Sequence, residues 1–143
     1  MYTHSTYVRV RYSETDQMGY VYYGNYAAWF EVGRVESLRS LGLSYRAMED
    51  QGVMLPVLTY DVKYIKPAKY DDEVRIETNI IELPKARISF SYKCFRVSEG
   101  EKEELLTLAN TTLVFIDMES GRPTRCPVSL TQALMPHFES GLR

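Results

Sequence analysis

Histidine and cysteine are scarce: the 143 residues hold two of each, His4 and His137, Cys94 and Cys126. Both histidines lie near the ends, so a Ser-His-Asp triad would have to be assembled from the termini. Neither His-Glu-x-x-His nor Cys-x-x-Cys occurs, and a zinc site would lack ligands. No Gly-x-Ser-x-Gly is present, which excludes a nucleophile elbow. Gly-x-x-x-x-Gly-Lys-Ser/Thr and Gly-x-Gly-x-x-Gly are also missing, and with them the common phosphate and dinucleotide loops. No apolar run approaches the length of a transmembrane helix. Neither charge sign dominates: Lys+Arg 17 against Asp+Glu 19 leaves −2, so bulk electrostatics gives no pull toward nucleic acid or an acidic membrane. The start, Met1-Tyr2-Thr3-His4-Ser5, puts polar groups where a signal peptide needs an apolar run, so a reducing cytosol and free thiols are expected.

What is present is globular: 45% apolar and 25% charged residues, at a length that suits one domain spanning residues 1–143. Thr6, Val8, Val10 and Tyr12 alternate with Tyr7, Arg9 and Arg11, which predicts a strand. A loop follows from Ser13 to Gly24. Asn25 suits an N-cap and Gly42 a C′ position, bracketing a helix from Tyr26 to Leu41 of about four turns. Its apolar residues cover most of the circumference, which predicts a buried helix wrapped by a sheet. Ser44 to Gln51 reads as a second, short helix ended by Gly52. Alternation then predicts strands from Leu58 to Tyr64, Val74 to Ile80 and Ile88 to Cys94, with a turn at Pro67 and Asp71-Asp72. Leu105 to Asp117 is apolar on both faces and reads as central. Short connections predict that the last four strands are antiparallel neighbours. A terminal helix from Leu130 to Phe138 is expected to be interrupted by Pro136. The class is α+β.

The chemistry concentrates between Tyr12 and Tyr26. Asp16 sits in the loop between the first strand and the helix, whose start offers unpaired N–H groups and the positive end of a dipole. Such donors can hold a developing oxyanion, and a carboxylate beside them can serve as nucleophile or general base. Spacing alone equally suits an Asx-turn at Asp16, a solvated Glu14 and tyrosines that only fill a core. Five of the 12 tyrosines (Tyr12, Tyr20, Tyr22, Tyr23, Tyr26) crowd into these fifteen residues. Glu31 and Glu36 are expected to pair with Arg34 or Arg39. His4 is expected at the surface and Cys94 in the core.

The stretch Ser13-Glu-Thr-Asp-Gln-Met-Gly-Tyr-Val-Tyr-Tyr-Gly-Asn-Tyr26 resembles the signature of the hotdog-fold acyl-CoA thioesterases. It is most similar to the 4-hydroxybenzoyl-CoA thioesterase branch and the Tol-Pal-associated acyl-CoA thioesterases, with Asp16, Gly19, Val21, Asn25 and Tyr26 in step. Tyr64-Ile-Lys-Pro-Ala-Lys-Tyr-Asp-Asp-Glu-Val-Arg-Ile-Glu-Thr78 resembles the family's second-to-third strand turn. The resemblance implies a hotdog, a five-stranded antiparallel sheet wrapped around one long helix. It also implies a homodimer joined sheet edge to sheet edge, pairing again as a homotetramer, with the active site at the dimer interface.

The resemblance places the catalytic carboxylate on Asp16 and the carbonyl-polarising N–H on Tyr23, with Gly24 beside it. Met18, Gly19 and Tyr26 would line the acyl pocket; Tyr64, Ile65 and Lys66 would flank the thioester and pantetheine. Lys85, Arg87, Arg122 and Arg125 would meet the phosphates of coenzyme A, which is substrate rather than cofactor. No cofactor or metal is implied. Tyr20 stands where related members often carry His, which changes the pocket's polarity. A dehydratase on this fold would use a His that the segment lacks. A non-catalytic acyl-CoA or lipid-binding module is the competing reading.

Overall fold

The computed structural model describes residues 1–139. Strand β1, Tyr2–Arg9, pairs antiparallel with β4, Glu73–Ile80, in a register running from Tyr2↔Ile80 to Arg9↔Glu73. It therefore begins and ends earlier than the alternation at Thr6 to Tyr12 predicts. After Arg9 the backbone leaves the ladder: Val10 N donates to Asp72 O, and Tyr12–Glu14 closes a 3₁₀ turn instead. The extension brings His4 opposite Thr78. It is half-buried, with its Nδ1 closed off from solvent, and not at the surface as expected.

Helix α1, Tyr26–Ser40, buries Tyr26, Trp29, Phe30, Gly33, Arg34, Ser37 and Leu38. This is an i, i+3, i+4 stripe, the side of a helix that lies on a sheet. Val32 is 39% exposed, and Ala28 and Glu31 are exposed with it, so within one chain the helix is covered on one side and not all round. Arg34 falls on the covered stripe. Its guanidinium therefore goes inward to Tyr92 Oη at 3.4 Å instead of to a glutamate, while Arg39 and Glu36 pair outside at 3.3 Å. The helix ends as the glycine predicts. Gly42 takes φ +81°, its N–H donates to Arg39 O, and Leu43 N donates to Leu38 O, the double bond of a Schellman cap. Helix α2, Tyr45–Asp50, is capped by Ser44, whose Oγ accepts from Ala47 N at 3.0 Å.

The short strand β2, Val53–Met54, pairs with β7, Ile116–Asp117. The main sheet adds β3, Val57–Tyr64, β5, Arg87–Val97, and β6, Glu104–Val114, in the antiparallel order β1-β4-β5-β6-β3. Two expectations change here. The middle strand is β5, with β6 between it and the edge. Strands β3 and β4 are not neighbours but lie on opposite sides of the β5–β6 pair, so residues 65–72 must cross one end of the sheet. The crossing is held by Arg96, which donates to Asp72 Oδ2 at 2.9 Å, to Pro67 O at 2.5 Å and to Glu104. The inner sheet face carries Ile76, Ile80, Ile88, Phe90, Tyr92, Cys94, Ala109 and Leu113, all buried against the helix side. Phe30 meets Tyr92 with ring centroids 4.7 Å apart. The wrapped-helix architecture expected of a hotdog is thus the one found.

Helix α3, Val128–Glu139, runs through Pro136 without interruption. Pro136 lies inside the helix, where it has no N–H to give to the carbonyl four residues earlier, and buried Leu130 and Leu134 anchor the turns before it. Both cysteines are free.

The helix touches the sheet at Gly33, where an added Cβ would lie 2.5 Å from Thr78 Oγ1 and 3.1 Å from Ile76 Cγ2. Gly33→Ala is therefore expected to cost about 1–3 kcal/mol through overpacking, read from the urea midpoint. An unchanged midpoint would mean that the helix can lift freely. A second expectation concerns alkaline pH. Burial pushes the Cys94 thiol and the Tyr92 phenol each up to about 12, from ordinary values of 9.0 and 10.0. The folded chain keeps protons that the unfolded chain releases, so this stability is complete below about pH 9 and is lost as pH rises from there toward 12. The thermal midpoint should fall across that window, and less steeply in Cys94→Val.

Candidate active site

Asp16 heads a tight loop. Its backbone N donates to Tyr20 O at 2.8 Å, and Gly19, at φ +82°, donates back to Asp16 O at 3.0 Å. One carboxylate oxygen, Oδ1, accepts from Met18 N at 2.9 Å and Tyr20 N at 3.3 Å. The Asx-turn is thus real, and it is also what aims the carboxylate. The other oxygen, Oδ2, accepts no hydrogen bond from the described residues. The loop is seated by Val21 N on Ala68 O at 2.8 Å and by a bridge between Tyr20 and Lys69. The sheet-crossing segment therefore supports it from below.

The helix entry differs from expectation. Tyr23–Asn25 forms a 3₁₀ turn ahead of α1. Asn25 holds the N-cap position, but its side chain does not cap the helix; Nδ2 donates instead to Glu14 O at 2.8 Å. As the first residues of that turn, Tyr23 and Gly24 have N–H groups with no carbonyl a turn earlier, and neither donates within the described residues. An added Cβ at Gly24 would meet the exposed Tyr22 ring at 2.6 Å, so a side chain there would have to displace that ring.

These parts enclose a cleft of about 310 Å³. Asp16, Met18, Tyr20, Val21 and Tyr23 line it from the loop and helix entry, and Tyr26 from the first turn of α1. Tyr64, Ile65, Lys66 and Pro67 close the opposite wall. Of the residues expected here, Asp16, Met18, Tyr23, Tyr26, Tyr64, Ile65 and Lys66 do converge, whereas Gly19 and Gly24 shape the backbone without lining the space. Tyr20, Val21 and Pro67 complete the lining.

Burial raises the phenol of Tyr26 above its ordinary value and does the same for Tyr64, so both are neutral walls at working pH. Their rings meet edge to face at 5.2 Å. Lys66 lines the cleft, but its Nζ is engaged by Glu104 Oε1 at 2.8 Å. That bond and the one from Arg96 hold the Glu104 carboxyl below its usual range.

The four expected phosphate ligands lie elsewhere in the chain. Lys85, Arg87, Arg122 and Arg125 are exposed, and Cys126 N donates to Lys85 O, so the two turns do meet. They meet at the far end of the sheet, where Arg87 pairs with Val114, whereas Tyr64 pairs with Thr107. Seven residues of strand separate those ends, roughly 23 Å at about 3.3 Å per residue. Glu14, expected to be solvated, is buried at 8% exposure between the loop and α1. Its signal in the sequence was its position three residues after Arg11, the spacing at which a Glu reaches back to a turn's first N–H. Among the described residues no group of three or more His, Cys, Asp and Glu is gathered as metal ligands would be. No helix there is long and apolar enough to cross a membrane.

A five-stranded antiparallel sheet around one helix, with an aromatic cleft and a carboxylate at the helix start, defines a hotdog protein equipped for acyl chemistry. Residues 10–134 match the Thioesterase-like superfamily, and the chain belongs to it. It is 35% identical to a putative acyl-CoA thioesterase, YneP, of Bacillus subtilis, over 81% of each chain. It is 32% identical to the acyl-CoA thioester hydrolase YbgC of Escherichia coli O6:H1, over 86% of this chain and 89% of the relative. The solved DHNA-CoA thioesterase of Staphylococcus aureus superposes with TM-score 0.81 at 34% identity, covering 99% of this chain and 89% of that one.

Proposed function

We propose that the chain is an acyl-CoA thioesterase that hydrolyses fatty or aromatic acyl-CoA to the free acid and coenzyme A, with Asp16 as its catalytic carboxylate. One observation carries the residue assignment: Asp16, with a free Oδ2, and Tyr23, with an unused N–H, line the same cleft. A thioester carbonyl seated between them would have its oxygen at the Tyr23 N–H, beside Gly24, and its carbon toward the carboxylate. Asp16 then either attacks that carbon, giving a mixed anhydride that water opens, or takes a proton from water as the water attacks. Both routes consume one water and release the CoA thiol and the acid. The bonds from Met18 and Tyr20 leave Oδ1 as the orienting oxygen and Oδ2 as the reacting one. Tyr20, Tyr23, Tyr26 and Tyr64 supply aromatic surface for the acyl group, and Ile65 and Lys66 flank the thioester and the pantetheine arm.

The working form is a homodimer that pairs again into a homotetramer in a reducing cytosol, consistent with the two free thiols. Strand β3 supports the dimer: it is an edge, and Val57, Leu58, Tyr60 and Tyr64 are 42–50% exposed on it. Such an edge invites pairing with a second copy. Two-fold antiparallel pairing of β3 with itself sets the 57 end of one copy beside the 64 end of the other. The basic end of the second copy, with Lys85, Arg87, Arg122 and Arg125, then approaches the cleft of the first. In that dimer the four basic residues would serve the partner's cleft and not their own.

In a panel of aryl- and fatty acyl-CoA substrates with a thiol-trapping dye, the wild-type chain should release CoA, and Asp16→Asn should lower kcat by at least about a hundredfold. A loss under threefold overturns the assignment of Asp16. Tight CoA binding by calorimetry with no turnover of any substrate establishes a binding module instead. Sedimentation should give no monomer at micromolar concentration. Leu58→Lys, on the exposed edge, should shift the protein toward smaller species.

A further inference from the structure

Glu14 is the only buried carboxylate among the described residues, and the proposed chemistry does not use it. A buried charge is costly unless it is hydrogen-bonded, and this one is. Oε1 accepts from Arg11 N at 2.8 Å, with Arg11 Nε 3.5 Å away, and Oε2 accepts from the Trp29 indole N–H at 2.9 Å. Its backbone carbonyl accepts from Tyr22 N and from Asn25 Nδ2, each at 2.8 Å. Glu14 therefore gathers the exit of β1, the helix-entry turn and the first turn of α1 onto one residue, two positions before Asp16.

The bonds around Asp16 itself stay inside its loop. They orient the carboxylate relative to Met18 and Tyr20 but not relative to the helix. Within the described residues, every hydrogen bond between residues 12–16 and residues 22–29 ends on Glu14. We infer that Glu14 is a positioning residue that sets the gap between the Asp16 carboxylate and the Tyr23 N–H, across which the thioester carbonyl must fit. The inference rests on the reading of Asp16 and Tyr23 given above. Its leverage is geometric: displacing a reacting group by about 1 Å can cost on the order of a hundredfold in rate.

Glu14→Gln replaces one acceptor oxygen with an NH₂ group, which must face either the Arg11 N–H or the Trp29 N–H, donor against donor. The expected result is a kcat lowered at least about tenfold, with KM within about threefold, in protein that remains folded by circular dichroism. Trp29 is the chain's only tryptophan, so its fluorescence emission should shift in the same variant and reports the bond without reference to turnover. Trp29→Phe removes the surplus donor, so Glu14→Gln/Trp29→Phe should recover kcat relative to the product of the two single effects. If Glu14→Gln does not fold, Trp29→Phe alone serves as the variant, with kcat expected to fall about three- to tenfold. A folded Glu14→Gln with kcat within twofold of wild type overturns the inference. So does loss of activity only in proportion to the unfolded fraction. In either case an inactive Asp16→Asn beside an active wild type leaves the thioesterase reading standing. A wild type that turns over no acyl-CoA overturns both.

Discussion

Helix α1 lies so close to the sheet at Gly33 that no side chain fits between them, and the rest of the molecule is arranged around that contact. The approach brings Phe30 onto Tyr92 and seats Leu38 at full burial. It also fixes the direction of the helix start relative to the sheet edge. Tyr26, the first residue of the helix, is buried at 3% exposure between Trp29, at a ring distance of 4.9 Å, and Tyr64. The floor of the cleft is therefore an extension of the core, and the cleft inherits the rigidity of close packing. The same contact explains Arg34: a helix pressed onto the sheet turns every residue of its stripe inward, and the guanidinium finds a phenol there instead of a surface carboxylate.

Strand order then determines what faces the helix start. Because β3 and β4 are separated by β6 and β5, the segment between them must travel across the sheet end. An unsupported crossing would leave backbone groups exposed and mobile. Arg96 supplies the support, with Asp72 and Glu104 neutralising it and Pro67 O accepting from it. The crossing in turn carries Ala68, on which the Asp16 loop rests. A salt-bridge cluster of modest exposure thus acts on the site through position, and this matters more than the small stability expected of such pairs.

The molecule uses carboxylates in two environments. Asp16 is half-buried, with one oxygen tied and the other free, which suits the reacting role proposed for it. Glu14 is buried with both oxygens and its carbonyl occupied, as a strut requires. The two carboxylates stand two positions apart in the chain and differ both in burial and in hydrogen-bond partners. The tyrosines divide similarly: Tyr26 and Tyr92 are core, Tyr20, Tyr23 and Tyr64 are cleft wall, and Tyr60 is left on an unpaired strand edge. An edge of that length and apolarity is incomplete as a surface, and this is what supports the proposed dimer.

Much was legible in the sequence, because it depends on neighbours close along the chain. Periodicity located β3 to β6 and the body of α1, though it ran β6 on into Ile116–Asp117, which leaves the main sheet to pair with β2, and Gly42, Gly52 and Ser44 marked helix ends through backbone conformation and capping. The spacing from Asp16 to Tyr26 put a carboxylate and a helix start in one segment, and the resemblance of that segment and of Tyr64 to Thr78 to a family signature is what named the cleft residues. Cysteine scarcity and near-neutral charge bounded the chemistry. What only the tertiary structure decided depends on partners distant in sequence. Strand order put β6 between β5 and β3, turning an apparent hairpin into a crossing. Pairing with β4 drew β1 back to Tyr2 and His4 inward. The burial of Glu14 required Trp29, fifteen residues away, and the placement of Lys85 and Arg125 at the far sheet end followed from strand direction. Local pattern states which face a residue prefers; only the assembled sheet and helix state what stands opposite it.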